Sequence, residues 1–182
     1  MRITIISFSN RENGNCQSIA KLAAEAYAGN EVKVFFFSDF ALTSCGKCDN
    51  QCFHNRTSCP YISDMTYEIY DSIANSDLAV FVVPNYCGYP CSNFFVLNER
   101  SLCYFGGRQD LLDKYENVQK KFIAVSNSEA DNMAAAFSYQ TYATPDILYL
   151  ASKTYGKKSL AGDLMESEEA RKDVLDFLRL YS

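Results

Sequence analysis

Leu78-Ala79-Val80-Phe81-Val82-Val83-Pro84-Asn85-Tyr86-Cys87-Gly88 is the stretch on which the fold turns. Leu78 to Val83 is apolar without a break, the longest such run in the chain, and far too short to span a membrane. A short apolar run rich in β-branched residues reads as a strand covered on both faces, as in the middle of a parallel sheet. Pro84 ends the run, and Pro84 to Pro90 is expected to form a rigid turn segment.

Working outward, strands and helices alternate. Upstream, Asp64 opens a helix with Met65, Ile69 and Ile73 on its apolar face, and Val32 to Phe37 is a second strand. Before that, Ile19, Leu22, Ala23 and Ala26 recur at helical spacing, with Gly29 as the cap. Residues 2–7 (RITIIS) form the first strand rather than a secretory signal. Downstream, a helix is expected over 91–103, and Gly106-Gly107 marks a break. Phe122 to Val125 is the fourth strand, a weak helix or loop spans 129–143, and Ile147 to Leu150 is the fifth strand. Ser167 caps a last helix with Ala170, Val174, Phe177, Leu178 and Tyr181 on one face. Five strands alternating with helices give an open α/β parallel sheet, expected in the order 2-1-3-4-5. At 182 residues the chain is expected to be a single domain over 1–182, with a long loop at 38–63.

Hydrophobic residues make up 48% and charged residues 21%, a globular balance. The net charge of -5, with no visible basic patch, argues against nucleic acid as partner. Eight cysteines without an export signal point to a reducing, cytoplasmic compartment.

A ligand in such a sheet sits at the carboxyl ends of the strands, beside the switch point between the first and third. The first loop there runs Ser7-Phe8-Ser9-Asn10-Arg11-Glu12-Asn13-Gly14-Asn15-Cys16 into a helix N-terminus. It suits a phosphate monoester held by hydroxyls, amides and Arg11. It lacks both the three glycines of a dinucleotide fingerprint and the lysine of a P-loop. The bland alternative is a polar helix start. Tyr86, in the second loop, would suit a flat heterocycle, against the alternative of a packed turn tyrosine. The third loop, Ser126-Asn127-Ser128, is polar and in the right place.

Together these loops resemble the flavodoxin-like NADPH-dependent FMN reductase family, especially its iron–sulfur flavoprotein branch. The family's first loop reads like S-G-S-P-R-x-x-G-N-T, and Ser7, Ser9, Arg11, Gly14 and Asn15 match it. Phe8, Asn10 and Cys16 replace glycine, proline and threonine, the last change removing a hydroxyl from the phosphate loop. Pro84-Asn85-Tyr86-Cys87-Gly88 fits the family's P-x-Y-x-G, and Asn98-Glu99-Arg100 resembles the acidic-arginine end of its helix. The resemblance implies a flavodoxin-like three-layer sandwich with FMN as cofactor. It places the phosphate on the first loop, with Cys16 adjoining, and the ring among Pro84 to Gly88, Ser126 and Asn127. It implies hydride transfer from NAD(P)H to the flavin and release of electrons to an unidentified acceptor. No catalytic acid or base is expected; the single histidine, His54, lies in the cysteine loop. A homodimer or homotetramer is implied in the same way.

Cys45, Cys48, Cys52 and Cys59 are spaced C-x2-C-x3-C-x6-C. Three readings stand side by side: a [4Fe–4S] cluster, a tetrahedral zinc ion, or a loop of reduced thiols. The iron–sulfur branch carries C-x2-C-x2-C and a later cysteine, so this chain has one extra residue in its second gap. Cys16, Cys87, Cys91 and Cys103 read as small buried apolar groups. A cysteine phosphatase would need C-x5-R, and no cysteine here has an arginine six positions on. A receiver domain would need acids where Ser7, Phe8 and Ser9 stand. A flavodoxin-type carrier lacking a nicotinamide site, or a non-catalytic metal-stapled module, are the remaining alternatives.

Overall fold

The computed structural model describes residues 1–46, 48–128, 132–141 and 144–179. In chain order the elements are β1 (Arg2–Ser7), α1 (Asn15–Ala26), β2 (Glu31–Phe36), α2 (Thr66–Ala74), β3 (Leu78–Tyr86) and β4 (Tyr89–Pro90). Then come α3 (Ser92–Glu99), α4 (Ser101–Phe105), α5 (Gln109–Asn117), β5 (Gln119–Ser126), α6 (Met133–Thr141), β6 (Asp146–Ala151) and α7 (Glu168–Arg179). The main sheet runs β2-β1-β3-β5-β6, every neighbouring pair parallel. That is the expected order, with the two-residue β4 added antiparallel to the tip of β3.

The unbroken apolar run in β3 now has its cause. Successive strand residues face opposite ways. Ala79, Phe81 and Val83 enter a core shared with α2 to α6, and Leu78, Val80 and Val82 enter one shared with α1 and α7. Both faces are covered, so neither can be polar, and the result is the three-layer flavodoxin-like sandwich. Ile19, Ala20, Leu22 and Ala23 of α1 meet Ala170, Val174, Phe177 and Leu178 of α7 on the second side. Tyr181 lies outside the described residues. Ser167 Oγ accepts from Ala170 N at 3.3 Å, so the expected cap forms.

Two elements differ from expectation. The third strand does not stop at Val83, since Asn85 pairs with Pro90 and Tyr86 with Tyr89. The turn shrinks to Cys87-Gly88, with φ of 55° and 88°. Positive φ at both central residues is the hairpin turn whose twist matches its strands. Asn85 Oδ1 accepts from Gly88 N at 2.8 Å and closes it. The helix over 91–103 is interrupted at Arg100 (ψ -7°), where α3 ends and α4 begins. Of the weak helix over 129–143, α6 is present, while 129–131, 142 and 143 lie outside the described residues. Among the described residues no helix is long and apolar enough to cross a membrane.

Candidate functional site

β1 delivers the first loop to the carboxyl edge of the sheet. Phe8, where the resembled family has glycine, turns inward: its ring stacks on Phe37 at 5.0 Å and meets Phe94 edge-on at 5.5 Å. Its carbonyl accepts from Asn93 Nδ2 at 2.9 Å, so the start of α3 pins the loop. Ser9 Oγ accepts from Arg11 N at 3.1 Å. The loop then enters α1 through Gly14, and no side chain caps the helix. The free N–H groups of that first turn, at the positive end of the dipole, face the same edge.

A cavity of about 760 Å³ opens there, within the range of small-molecule sites. Ser9, Arg11, Gly14, Asn15 and Cys16 line one side; Pro84, Asn85 and Tyr86 line another; Ser126 and Asn127 line a third. Ser7, Cys87 and Gly88 are not on its wall. Ser7 is buried beneath the loop, its Oγ without a hydrogen-bond partner. Cys87 is exposed at the hairpin tip. Burial, with the Cys91 thiol beside it, pushes the Cys16 thiol well up, and burial pushes Cys91 up to about 11. Burial also raises the Tyr86 phenol, although Tyr86 remains 54% exposed. Of these, Cys16 and Tyr86 line the cavity and present neutral surface to whatever fills it.

Sequence reasoning missed the remaining wall: Val125, and the segment after β6 comprising Lys153, Gly156, Lys157, Lys158, Ser159 and Leu160. Arg11 Nη2 donates to Leu160 O at 2.7 Å and its Nη1 to Ser159 O at 3.3 Å. Asn15 Nδ2 donates to Ser159 O at 3.2 Å while its Oδ1 accepts from Leu164 N at 3.0 Å. Asn15 therefore serves the site by fixing this wall, and Arg11 keeps only part of its donor set free. The available signal was Lys153, Lys157 and Lys158 grouped around Gly156 just past the last strand, where a ligand edge is expected.

A cavity with no acidic lining residue among the described residues, beside an uncapped helix N-terminus and the Ser9 and Arg11 side chains, fits a phosphate-bearing cofactor. The hairpin edge at Tyr86 offers an aromatic and backbone surface for a flat ring.

The cysteine loop is built separately, against α3 and α4. Cys52, Cys59 and Cys103 pack together, all buried, while Cys45 and Cys48 are half-buried. Burial raises the Cys52 thiol, and Cys59, Cys45 and Cys48 raise it further, so the four spaced cysteines are neighbours. Among the described residues, however, no group of three or more Cys, His, Asp or Glu side chains converges as a metal site. A guanidinium organises the region instead. Arg100, fully buried, pairs with Asp64 at 2.5 Å and donates to Thr43 O at 2.9 Å and Tyr61 O at 3.1 Å. Its Nε lies 3.4 Å from Cys103 Sγ and its Nη2 3.7 Å from Cys59 Sγ. Glu99 Oε2 accepts from Cys45 N at 3.3 Å. Cys103 is thus more than the apolar filler the sequence suggested: its thiol also donates to Arg100 O at 2.9 Å.

The family described as NADPH-dependent FMN reductase has a model that matches residues 1–136. No curated protein matches the chain. Among solved structures, RosB, determined with a bound 8-demethyl-8-formylriboflavin-5'-phosphate intermediate, is similar at TM-score 0.66 and 14% identity, over 97% of this chain and 75% of that one. The Trp repressor binding protein from Bacillus subtilis is similar at 0.60 and 14%, over 99% of both chains. FerB, an NAD(P)H:acceptor oxidoreductase from Paracoccus denitrificans, is similar at 0.57 and 12%, over 97% of this chain and 94% of that one. At such identities these likenesses carry the fold.

Proposed function

Because the chain belongs to the NADPH-dependent FMN reductase family, and is thereby an FMN-dependent NAD(P)H oxidoreductase, we propose that its flavin site is the cavity at the carboxyl ends of β1, β3 and β5. The observation that carries this reading is the uncapped start of α1 opening into a cavity lined by Ser9 and Arg11 and, among the described residues, by no acid.

Bound flavin supplies the redox chemistry, accepting hydride from the nicotinamide and releasing electrons to an acceptor. The chain's residues bind and orient. The first-turn N–H groups of α1, the Ser9 hydroxyl and the Arg11 guanidinium hold the phosphate; Ser7 and Gly14 set the loop's shape; Asn15 fixes its far wall. Pro84, Asn85 and Tyr86 form the floor and edge for the ring, and the Cys87-Gly88 turn sets where that edge ends. Ser126 and Asn127 bound the third side. Cys16 and Tyr86, both held in the neutral form, keep negative charge away from the phosphate.

The test is titration of the purified protein with FMN, followed by NADPH or NADH under anaerobic conditions. One FMN per chain, and loss of the flavin's visible absorbance on adding the reductant, are the expected results. A protein that binds no FMN at millimolar concentration would end the proposal.

A second reading concerns Cys45, Cys48, Cys52 and Cys59. It rests on their C-x2-C-x3-C-x6-C spacing, which suits a bound metal, an iron–sulfur cluster or zinc. Their present arrangement is not a ligating one, so no step of the reaction is routed through it. Iron, sulfide and zinc counts on anaerobically purified protein separate the cases, and a metal-free protein leaves reduced thiols. The acceptor, a homodimeric or homotetrameric assembly and a cytoplasmic location complete the reading.

A further inference from the structure

The first loop departs from the family at two nearby positions, and one side chain answers both. Phe8 stands where the family has glycine, and Asn10 where it has proline. Asn93, half-buried in the first turn of α3, donates through Nδ2 to Phe8 O at 2.9 Å and to Asn10 Oδ1 at 2.7 Å. A backbone carbonyl can only accept, so the amide nitrogen of Asn93 must face Phe8. The second hydrogen of that nitrogen then fixes Asn10 as an acceptor.

The two ends of this contact differ. Phe8 is anchored without it: its N–H donates to Val82 O at 3.0 Å, its ring packs on Phe37, Phe81 and Phe94, and its carbonyl also accepts from Cys91 Sγ at 3.4 Å. Asn10 is exposed, and Asn93 is its one hydrogen-bond partner among the described residues. Around Asn10 the chain turns tightly, Ser9 Oγ accepting from Arg11 N at 3.1 Å. Ser9 and Arg11 reach the cavity, whereas Asn10 and Asn93 are not on its wall.

A proline at position 10 fixes φ covalently. An asparagine there leaves the turn more freedom, which must be lost when the loop orders around a ligand. A contact that orders the loop beforehand removes that cost from binding. We propose that Asn93 is a positioning residue for the flavin phosphate, a clamp from α3 that does for the Ser9–Arg11 turn what the proline ring does in the family. The inference rests on the flavin reading of the cavity. Proline remains compatible with the turn. Asn10 N–H meets no acceptor among the described residues, and Asn10 is not among the positive-φ positions.

The test compares three proteins: the unaltered chain, Asn93→Ala, and Asn93→Ala combined with Asn10→Pro. Alanine suits a helix, so the fold is expected to survive. Asn93→Ala is expected to lose about fivefold in FMN affinity, with riboflavin within about twofold. Adding Asn10→Pro is expected to return FMN affinity to within about twofold of the unaltered protein. A second readout needs no flavin. Hydrogen exchange at the Arg11 amide, which bonds Ser9 Oγ, is expected to quicken about fivefold in Asn93→Ala and to slow again with the proline. Unchanged FMN affinity in Asn93→Ala overturns the inference. Equal loss of both flavins also overturns it, by making Asn93 a support of the fold alone, and so does failure of the proline to restore binding. If the unaltered protein binds neither flavin, the flavin reading fails instead. The exchange rates then decide the clamp by themselves, and equal rates in all three proteins overturn it.

Discussion

Arg11 has two tasks that one substitution can separate. It donates to the carbonyls of Ser159 and Leu160, and its guanidinium lines the cavity. If it also reaches the flavin phosphate, Arg11→Gln should weaken FMN by about tenfold, the worth of one charge-assisted hydrogen bond. Riboflavin, lacking the phosphate, should bind the variant as before. Equal weakening of both ligands would leave Arg11 as a strut and nothing more. Cys16 offers the converse experiment. It stands on the cavity wall in the first turn of α1, where the resembled family has threonine, and its thiol is held neutral by burial. Cys16→Thr restores a hydroxyl donor beside the free N–H groups. FMN affinity should rise about threefold, with riboflavin unmoved, as fluorescence quenching would read. A rise shared by riboflavin would put Cys16 against the ring instead.

Among the elements, α3, α4 and the cysteine loop behave as one unit because Arg100 joins them. Its guanidinium is fully buried, and Asp64 is its one carboxylate partner among the described ion pairs. Removing one partner of a buried pair leaves the other uncompensated. Asp64→Asn should therefore destabilise the protein by about 3 kcal/mol and open the loop over 38–63 to protease before the sheet unfolds. A change below about 0.5 kcal/mol in the denaturation midpoint would mean that water replaces the carboxylate. The same unit shows where the sequence could be read and where it could not. The alternation of β3 between two cores follows from its apolar run, and the strand order follows from five strands with crossovers. The Cys87-Gly88 hairpin was hidden because Pro84 reads as a strand end, whereas the carbonyl of Pro84 still accepts from Cys91 N at 3.1 Å. The break at Arg100 was hidden because helical periodicity carries no sign of a side chain drawn into a loop forty residues away. In the site, Ser9, Arg11 and Tyr86 were legible from the loops at the strand ends. The wall from Lys153 to Leu160 was not, because contact between the last loop and the first is set by tertiary packing and leaves no local period.

At the scale of the whole molecule, the buried lysines of β5 stand at the end of the sheet opposite the cavity. Lys120 opens β5 there, 6% exposed, its ammonium donating to the carbonyls of Tyr115 and Val118. Burial brings it down from 10.5 to about 8, and burial lowers its neighbour Lys121 as well. At pH 7 the folded state therefore carries a buried charge it holds poorly. Between about 8 and 10.5 the folded Lys120 has lost its proton while the unfolded one keeps it, so this group's contribution to stability rises with pH across that window. Its gain should be on the order of 2 kcal/mol once residual solvent screening is allowed for. From about pH 9 other groups oppose it. Burial raises the Cys16, Cys91 and Cys52 thiols from 9.0, and above pH 10 the phenols of Tyr70 and Tyr155 follow, the latter raised by burial and the Asp173 hydrogen bond. All keep their protons when folded and lose them when unfolded, so stability falls as the solution becomes more alkaline. The urea midpoint of the wild-type protein should accordingly rise from pH 7.5 to about 8.5 and then decline. Lys120→Met, which keeps the chain's length and removes the charge, should be the more stable protein at pH 7 and should lose most of the rise. If the variant instead traces the wild-type profile at every pH, the ammonium of Lys120 is well solvated in the folded state, and the alkaline rise must come from Lys121.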